Sequence, residues 1–471
     1  LSHSRQRAQP PLEFIPERFN PLVLRVAHWL LPIVMRVRLR SWLPAGIAQV
    51  DVTNAEGLAD LYQQFQTGKI RLVMAFRHVE VDDPLSLMFL CSRAVPRAAR
   101  QKGIALQYPL HAHYMYDRGM TLWGGNWLGW LLSRLGGVPM HRGKQLDRSA
   151  VRATRKLLTD GKLPFAMAPE GQTNGHSETV SPLEPGLAQL SFWCVQDLVK
   201  EKRTEPVIVV PIGVQYHYVN PPWANLDRLL SQLEADTGLP VQAIASTTSP
   251  DVAQQCYQRI CQLGEHLLTQ MEQFYRRFTH RVETIPDNPT GRFDERLHIV
   301  LDRALQTAEQ HFGLSSQGTV IERCRRVEEA SWRDIYREDL PDLTGLSPFD
   351  RGLADWIAEA AEMRSRHMRL VESFVAVTET YVQKNPSVER LAEMAMLMFD
   401  LVARIKGDSV PARPRLGWRR VQITVGQPIS VSDRWSMYER DRPSAKQALR
   451  ELTQEVQAAL EKMIPDDASI R

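Results

Sequence analysis

The chain has 471 residues, 43% of them hydrophobic and 24% charged, with 30 Pro and 26 Gly. These are globular values for more than one folding unit, and they exclude a disordered, collagen-like or coiled-coil chain. The net charge of +4 is concentrated at one end: residues 1–50 hold seven Arg against two Glu, a net of +5, and the remainder sums to −1. That distribution argues against a nucleic-acid binder and for a local anionic partner near the N-terminus.

The first element is the apolar stretch Pro21–Met35, broken by Arg25 and His28 and bounded by Arg36, Arg38 and Arg40, with Trp29 and Trp42 nearby. A bilayer span needs roughly 20 apolar residues, so this stretch is too short. Trp beside Arg instead suits a helix lying in the headgroup layer, with rings at the interface and cations on phosphates. Residues 1–50 are therefore expected to form an amphipathic membrane-interface segment; a helix packed on its own domain is the alternative. The segment does not read as a signal peptide, because polar residues precede the apolar stretch and no small-residue cleavage site follows it. Neither Gly119–Ser133, with four Gly, nor Pro206–Leu226, with four Pro, reads as a span. The second of these is expected to be a buried strand followed by a loop. No transmembrane helix is predicted.

From Lys69 to Tyr218 short apolar runs alternate with helical patterns, within an α/β core expected over residues 51–225. The predicted strands are Ile70–Arg77, Gly137–His141, Leu163–Ala168 and Val207–Gln215, the last interrupted by Pro211. Near-continuous apolar runs suit strands covered on both faces, so this region reads as an αβα sandwich with a mostly parallel sheet. Helices are expected over Asp147–Asp160, closed by Gly161, and after Leu183–Gly186. From 226 to 414 the strand signal disappears. Helical patterns cover Ser249–Arg277, Arg292–Phe312, Gly318–Glu338, Phe349–Gln383 and Val388–Lys406, with breaks at Pro286, Pro289, Pro341, Pro386, Pro411 and Pro414. Residues 415–471 return to a strand, Arg420–Val425, and a final helix with Ser444 and Gln447 as its capping box and Pro465 as its stop. A lone late strand is not expected to fold by itself. It is expected to rejoin the first sheet, which makes 226–414 a large helical insertion.

Three fragments carry chemistry. His78 and Asp83 follow the first core strand, and Pro84 after Asp83 suggests a helix with Asp83 as N-cap. At a strand–turn–helix corner the carboxylate can bind one imidazole nitrogen and leave the other to take a proton. That is half a triad, suited to activating a substrate hydroxyl. Taken alone, the weak H-x4-D pattern reads as a capping Asp and an incidental His. Gly137–Arg142 ends a short strand on an Arg placed to clamp an anion or to make a surface salt bridge. The neighbouring Gly143-Lys144-Gln145 has the wrong spacing for a nucleotide loop. Ala168-Pro169-Glu170-Gly171-Gln172-Thr173-Asn174-Gly175 follows another strand, where parallel sheets bind ligands, and Glu170 is expected to point into that crevice. Gly171 and Gly175 there allow close backbone approach; a polar turn is the alternative. His111 and His113 could share a strand face as metal ligands, but no third ligand is evident. The five Cys (Cys91, Cys194, Cys256, Cys261, Cys324) lack zinc or disulfide spacing, which fits a reducing setting. There is no G-x-S-x-G, H-E-x-x-H or G-x-G-x-x-G motif.

In order and spacing these fragments resemble the glycerolipid acyltransferase family, typified by the lysophosphatidate (1-acylglycerol-3-phosphate) acyltransferases. His78-x4-Asp83 matches its first block, Gly137–Arg142 is similar to its second, Ala168–Thr173 to its third, and Val209-Val210-Pro211-Ile212 to its fourth. Val425-Gly426-Gln427-Pro428-Ile429 resembles its closing strand. The resemblance implies a glycerolipid-acyltransferase-like fold and an acyl transfer from acyl-CoA or acyl carrier protein to a lysophospholipid hydroxyl. It implies His78 as general base, Asp83 as its orienter, Arg142 on the acceptor phosphate, and Glu170 with Gly171 at the acceptor's glycerol. It implies no metal or redox cofactor, and partners limited to an anionic membrane surface, the acceptor and the acyl donor. A peripheral or monotopic protein on the cytoplasmic side follows. Gln172-Thr173 departs from the family's Thr-Arg, so the acceptor could differ, or Arg148 or Lys144 could substitute. Glycerol 3-phosphate or a non-phosphate lipid alcohol as acceptor, and a catalytically silent lipid-binding protein, remain the alternatives.

Overall fold

The computed structural model describes residues 7–38, 46–141, 147–242, 251–278, 292–340, 342–374, 381, 386–408 and 411–464. Arg40, Trp42, Arg142, Lys144 and Pro465 lie outside them. The described residues form two compact units, one from 14–141, 147–221 and 417–464, the other from 7–13 and the described part of 222–416.

The first unit begins with α1 (Pro21–Arg36), β1 (Ile47–Thr53), α2 (Ala55–Gln66), β2 (Arg71–Phe76), α3 (Asp83–Phe89) and α4 (Val95–Lys102). It continues with β3 (His113–Asp117), α5 (Met120–Gly124), α6 (Asn126–Arg134), β4 (Gly137–Met140), α7 (Arg148–Asp160), β5 (Phe165–Met167), α8 (Gly186–Lys200) and β6 (Val207–Tyr218). The chain then builds the second unit from α9 (Trp223–Thr237), α10 (Val252–Phe278), α11 (Phe293–Phe312), α12 (Val320–Ile335), α13 (Pro348–Ser373) and α14 (Val388–Lys406). It returns with β7 (Arg419–Val425), β8 (Ile429–Ser430), α15 (Trp435–Arg440) and α16 (Arg442–Glu461).

The sheet order is β1-β7-β6-β2-β5-β3-β4, with β8 also on β6. Strands β2 to β6 are parallel to one another, while β7 and β8 run antiparallel to β6 and β1 runs parallel to β7. The late strand does rejoin the first sheet, and the fold is the expected α/β sandwich interrupted by a helical insertion. Alternation along β2 splits the core into two layers. Leu72, Met74 and Phe76 face α1 to α4, with Leu58, Tyr62, Leu90 and Val95. Val73 and Ala75 face α7, α8 and α16, with Leu158, Phe192, Leu452 and Val456.

Several expectations need correction. Strand β6 runs unbroken through Pro211. Its residues Ile212–Tyr218 pair with β7 and Ile208–Val209 with β8, so Pro211 falls in the gap between two partners. There its missing N–H removes no ladder bond on that side. The expected loop after this strand is short, because α9 begins at Trp223. The last helix starts two residues before Ser444: Asp441 is its N-cap and accepts from the Ser444 amide at 2.7 Å. Strands β1, β3 and β8 had no clear apolar run; β1 is an edge strand with residues facing solvent and crosses the expected boundary at residue 50.

The helical unit is tied by arginine forks. Arg259 bonds Glu234 at 2.7 Å and Asp227 at 2.5 Å, and Arg323 bonds Glu309 at 2.8 Å and Asp302 at 2.7 Å. Bidentate pairing suits the guanidinium fork and satisfies charges that burial would otherwise penalise.

Candidate active site

The site lies at the C-terminal ends of β2 and β5, the edge where parallel sheets leave a crevice. Strand β2 lies between β5 and β6, and the Arg77 amide extends its ladder by donating to Ile212 O at 3.0 Å. The chain then turns through His78 and enters α3. The N-cap of α3 is Asp82, and Asp83 is its first residue. Asp83 is therefore not the expected cap: its side chain points back across the turn. Its Oδ2 sits 3.0 Å from His78 Nδ1 and accepts the Glu80 amide at 2.9 Å. Its Oδ1 accepts the Tyr216 hydroxyl at 2.6 Å. Asp83 is fully buried, whereas the His78 side chain is 24% exposed. With Nδ1–H donated to a carboxylate, Nε2 is left with its lone pair.

Glu170 follows β5 and is buried. Its Oε1 accepts the His78 amide at 2.9 Å, and its Oε2 accepts Asn174 Nδ2 at 2.8 Å and the Ser181 amide at 2.9 Å. Arg77 Nε lies 3.8 Å from Oε1. The Arg77 guanidinium also donates to the carbonyls of Ser177 (2.5 Å), His176 (2.9 Å) and Thr179 (2.5 Å). Backbone bonds from Asn174 to His78 O and from Gly175 to Val79 O, both 3.0 Å, close the two loops on each other. Glu170 thus acts on the site by holding the backbone of His78. Arg77 carried no functional signal in the sequence, because its partners are backbone carbonyls about 100 residues away along the chain, and Asn174 stood in the Glu170 loop without an assigned role.

Gly171 sits at φ +74°, and a Cβ there would come within 2.4 Å of the Glu184 carboxylate. The Glu184 tip can swing aside, so the dihedral dominates. Gly171→Ala is expected to destabilise by about 1–2 kcal/mol through its left-handed conformation, read as a lower thermal midpoint.

Behind the His78–Asp83 pair lies a second buried layer. Arg419, the first residue of β7, bonds Asp82 at 2.6 Å, lies 3.7 Å from Glu80 and covers the Tyr216 ring at 4.6 Å. Burial raises Asp82 above its ordinary value against the pull of Arg419. Burial works against the charge of Arg419, yet Asp82 and Glu80 hold it above its ordinary value. Tyr216 is pushed well up by burial and then by Asp83 and Asp82. No sequence signal pointed to Tyr216 or Arg419.

Strand β4 brings the chain to His141, whose amide donates to Asp147 at 3.0 Å; Arg118 bonds the same carboxylate. Arg142 itself is outside the described residues, and Arg148 is exposed at the start of α7. His111 and His113 are each within bonding distance of a backbone carbonyl, Leu135 O at 2.8 Å and Gly136 O at 3.1 Å, and burial pulls His111 down to about 4. Among the described residues no group of three or more His, Cys, Asp or Glu could hold a metal ion. Those two rings instead secure the turn between α6 and β4.

Residues 49–215 match the Acyltransferase family model. The match runs from β1 into β6 and includes His78, Asp83, Glu170 and Gly171. No curated protein matches the chain.

Proposed function

We propose that this O-acyltransferase, whose residues 49–215 belong to the glycerolipid acyltransferase family, transfers a fatty acyl group from acyl-CoA or acyl carrier protein to a lysophospholipid such as 1-acylglycerol 3-phosphate. The observation that carries the reading is the 3.0 Å contact between His78 Nδ1 and a buried Asp83, with the ring partly open at the edge of the sheet. In this scheme Nε2 removes the proton of the acceptor hydroxyl as its oxygen attacks the thioester carbonyl. The new C–O bond forms, the C–S bond breaks, and the imidazolium returns its proton to the departing thiolate. No cofactor takes part. By the resemblance, Arg142 would hold the acceptor phosphate, and Glu170 with Gly171 would position its glycerol.

A lipid acceptor and product require work at a bilayer surface, and α1 supports that setting. Its Leu24, Leu31 and Met35 are buried, while Leu22, Val26, Trp29 and Ile33 form an exposed apolar face, with Arg25 and Arg36 exposed beside it. No helix among the described residues is long and apolar enough to cross a membrane. We assign a peripheral or monotopic attachment to the cytoplasmic leaflet. Replacing Trp29 and Ile33 by Ala is expected to weaken partition onto vesicles rich in phosphatidylglycerol. Replacing Arg36, Arg38 and Arg40 by Gln should weaken it by about 1 kcal/mol per residue. Sedimentation with vesicles measures both, and unchanged partition retires the attachment.

The deciding experiment is product identification by mass spectrometry, with the purified protein, mixed lyso-lipids, glycerol 3-phosphate and lipid alcohols, and both donor types. Phosphatidate as the main product supports the proposal. Acylation of glycerol 3-phosphate or of a non-phosphate alcohol instead reassigns the acceptor, in keeping with Gln172-Thr173. Lipid binding without turnover on any pair would favour a silent binding protein.

A further inference from the structure

Two side chains that support Asp83 and its neighbour Asp82 come from outside the matched stretch. Tyr216 lies one residue beyond it on β6, and Arg419 enters only when the chain returns as β7. Antiparallel register sets Tyr216 opposite Val421 and Tyr218 opposite Arg419, so Tyr216 and Arg419 share one face of the sheet as diagonal neighbours. That is the face covered by α1 to α4, where α3 opens with Asp83.

Asp83 Oδ1 is buried and turned away from His78. The Tyr216 hydroxyl at 2.6 Å donates to it. Because Tyr216 is held protonated well past the ordinary phenol range, the direction of that bond does not change with pH. Asp82 and Asp83 are adjacent buried acids, and like charges so placed favour proton uptake by one of them. The 2.6 Å bond from Arg419 to Asp82 offsets that repulsion. The charged groups around the pair are then Glu80 and Asp82 on the turn, Arg419 on β7, and the Arg77–Glu170 pair behind the His78 amide.

We infer that Tyr216 is a positioning residue of the acyl-transfer reaction, fixing the Asp83 carboxylate that orients His78, while Arg419 neutralises Asp82 so that Asp83 acts on the imidazole. This rests on the reading of His78 as base. The helical insertion therefore separates two halves of one catalytic support: β2 and α3 carry the base and its carboxylate, and β7 brings the cation that allows two acids to lie side by side.

The test is Tyr216→Phe in the full chain, which keeps the ring and removes the donor. Without the hydroxyl, the Asp83 charge is less shared and draws more strongly on the imidazole. Titration of histidine labelled at Cε1, with the His78 signal assigned by its loss in His78→Gln, reads that change directly. The acid limb of kcat/KM should move to higher pH. At neutral pH kcat should fall roughly tenfold with KM nearly unchanged. In an Asp83→Asn background the same substitution should move neither quantity. An unmoved His78 titration in folded Tyr216→Phe overturns the inference, as does lost activity with an unshifted pH profile. Full turnover in His78→Ala overturns instead the base reading on which it rests, and the two failures are told apart by these separate measurements.

Discussion

His78→Ala is expected to lower kcat by about 10²–10⁴-fold, the usual worth of a positioned general base, with little change in thermal midpoint. The argument for an intact fold is local. The ring is partly exposed, meets Phe76 edge-on at 5.9 Å and bonds Asp83. When it is removed, the Asp83 carboxylate keeps the Tyr216 hydroxyl and the Glu80 amide as donors, so no buried acceptor is orphaned. The His78 amide also keeps its bond to Glu170, so the turn stays closed. Loss of turnover with a wild-type melting curve supports the base; turnover retained in the variant sinks it. Acyl transfer followed by thiol release, beside calorimetry of the same preparation, measures both.

How far the sequence spoke depended on how far apart the cooperating residues lie. His78 and Asp83 are five residues apart around one turn, so their pairing could be read locally, although the cap falls one residue earlier, at Asp82. Glu170 was visible as a polar residue after an apolar run. Its task was not, since a carboxylate aimed at a ligand and one aimed at backbone amides look the same in one dimension. Tyr216 and Arg419 were illegible for a stronger reason. Their role depends on β7 pairing with β6 in one register, across an intervening helical unit. The missed strands follow the same logic: β1 lies at the sheet edge, where one face can stay polar, and β3 spells His-Tyr-Met-Tyr-Asp, which shows no aliphatic run. Interior strands β2 and β6, covered on both faces, announced themselves by composition.

Glu170→Gln should be costly in a way that separates support from acceptor binding. Both carboxylate oxygens face donors. Oε1 meets the His78 amide with Arg77 beyond it, and Oε2 meets Asn174 Nδ2 and the Ser181 amide. An amide in the same place must turn its NH2 toward one of these sides, setting donor against donor, and it removes the carboxylate charge beside the buried Arg77 guanidinium. Breaking a buried ion pair costs about 3–5 kcal/mol, and each buried bond lost adds about 1–3 kcal/mol, not additively. Against a usual total of 5–15 kcal/mol, the urea midpoint should drop well below wild type. The surviving folded protein should show reduced kcat, because the loop that carries His78 has lost its anchor. A residue that touched only the acceptor would behave oppositely, raising KM at constant stability. A Glu170→Gln protein with an unchanged midpoint and an elevated KM would therefore move Glu170 from the scaffold of the site into contact with the substrate.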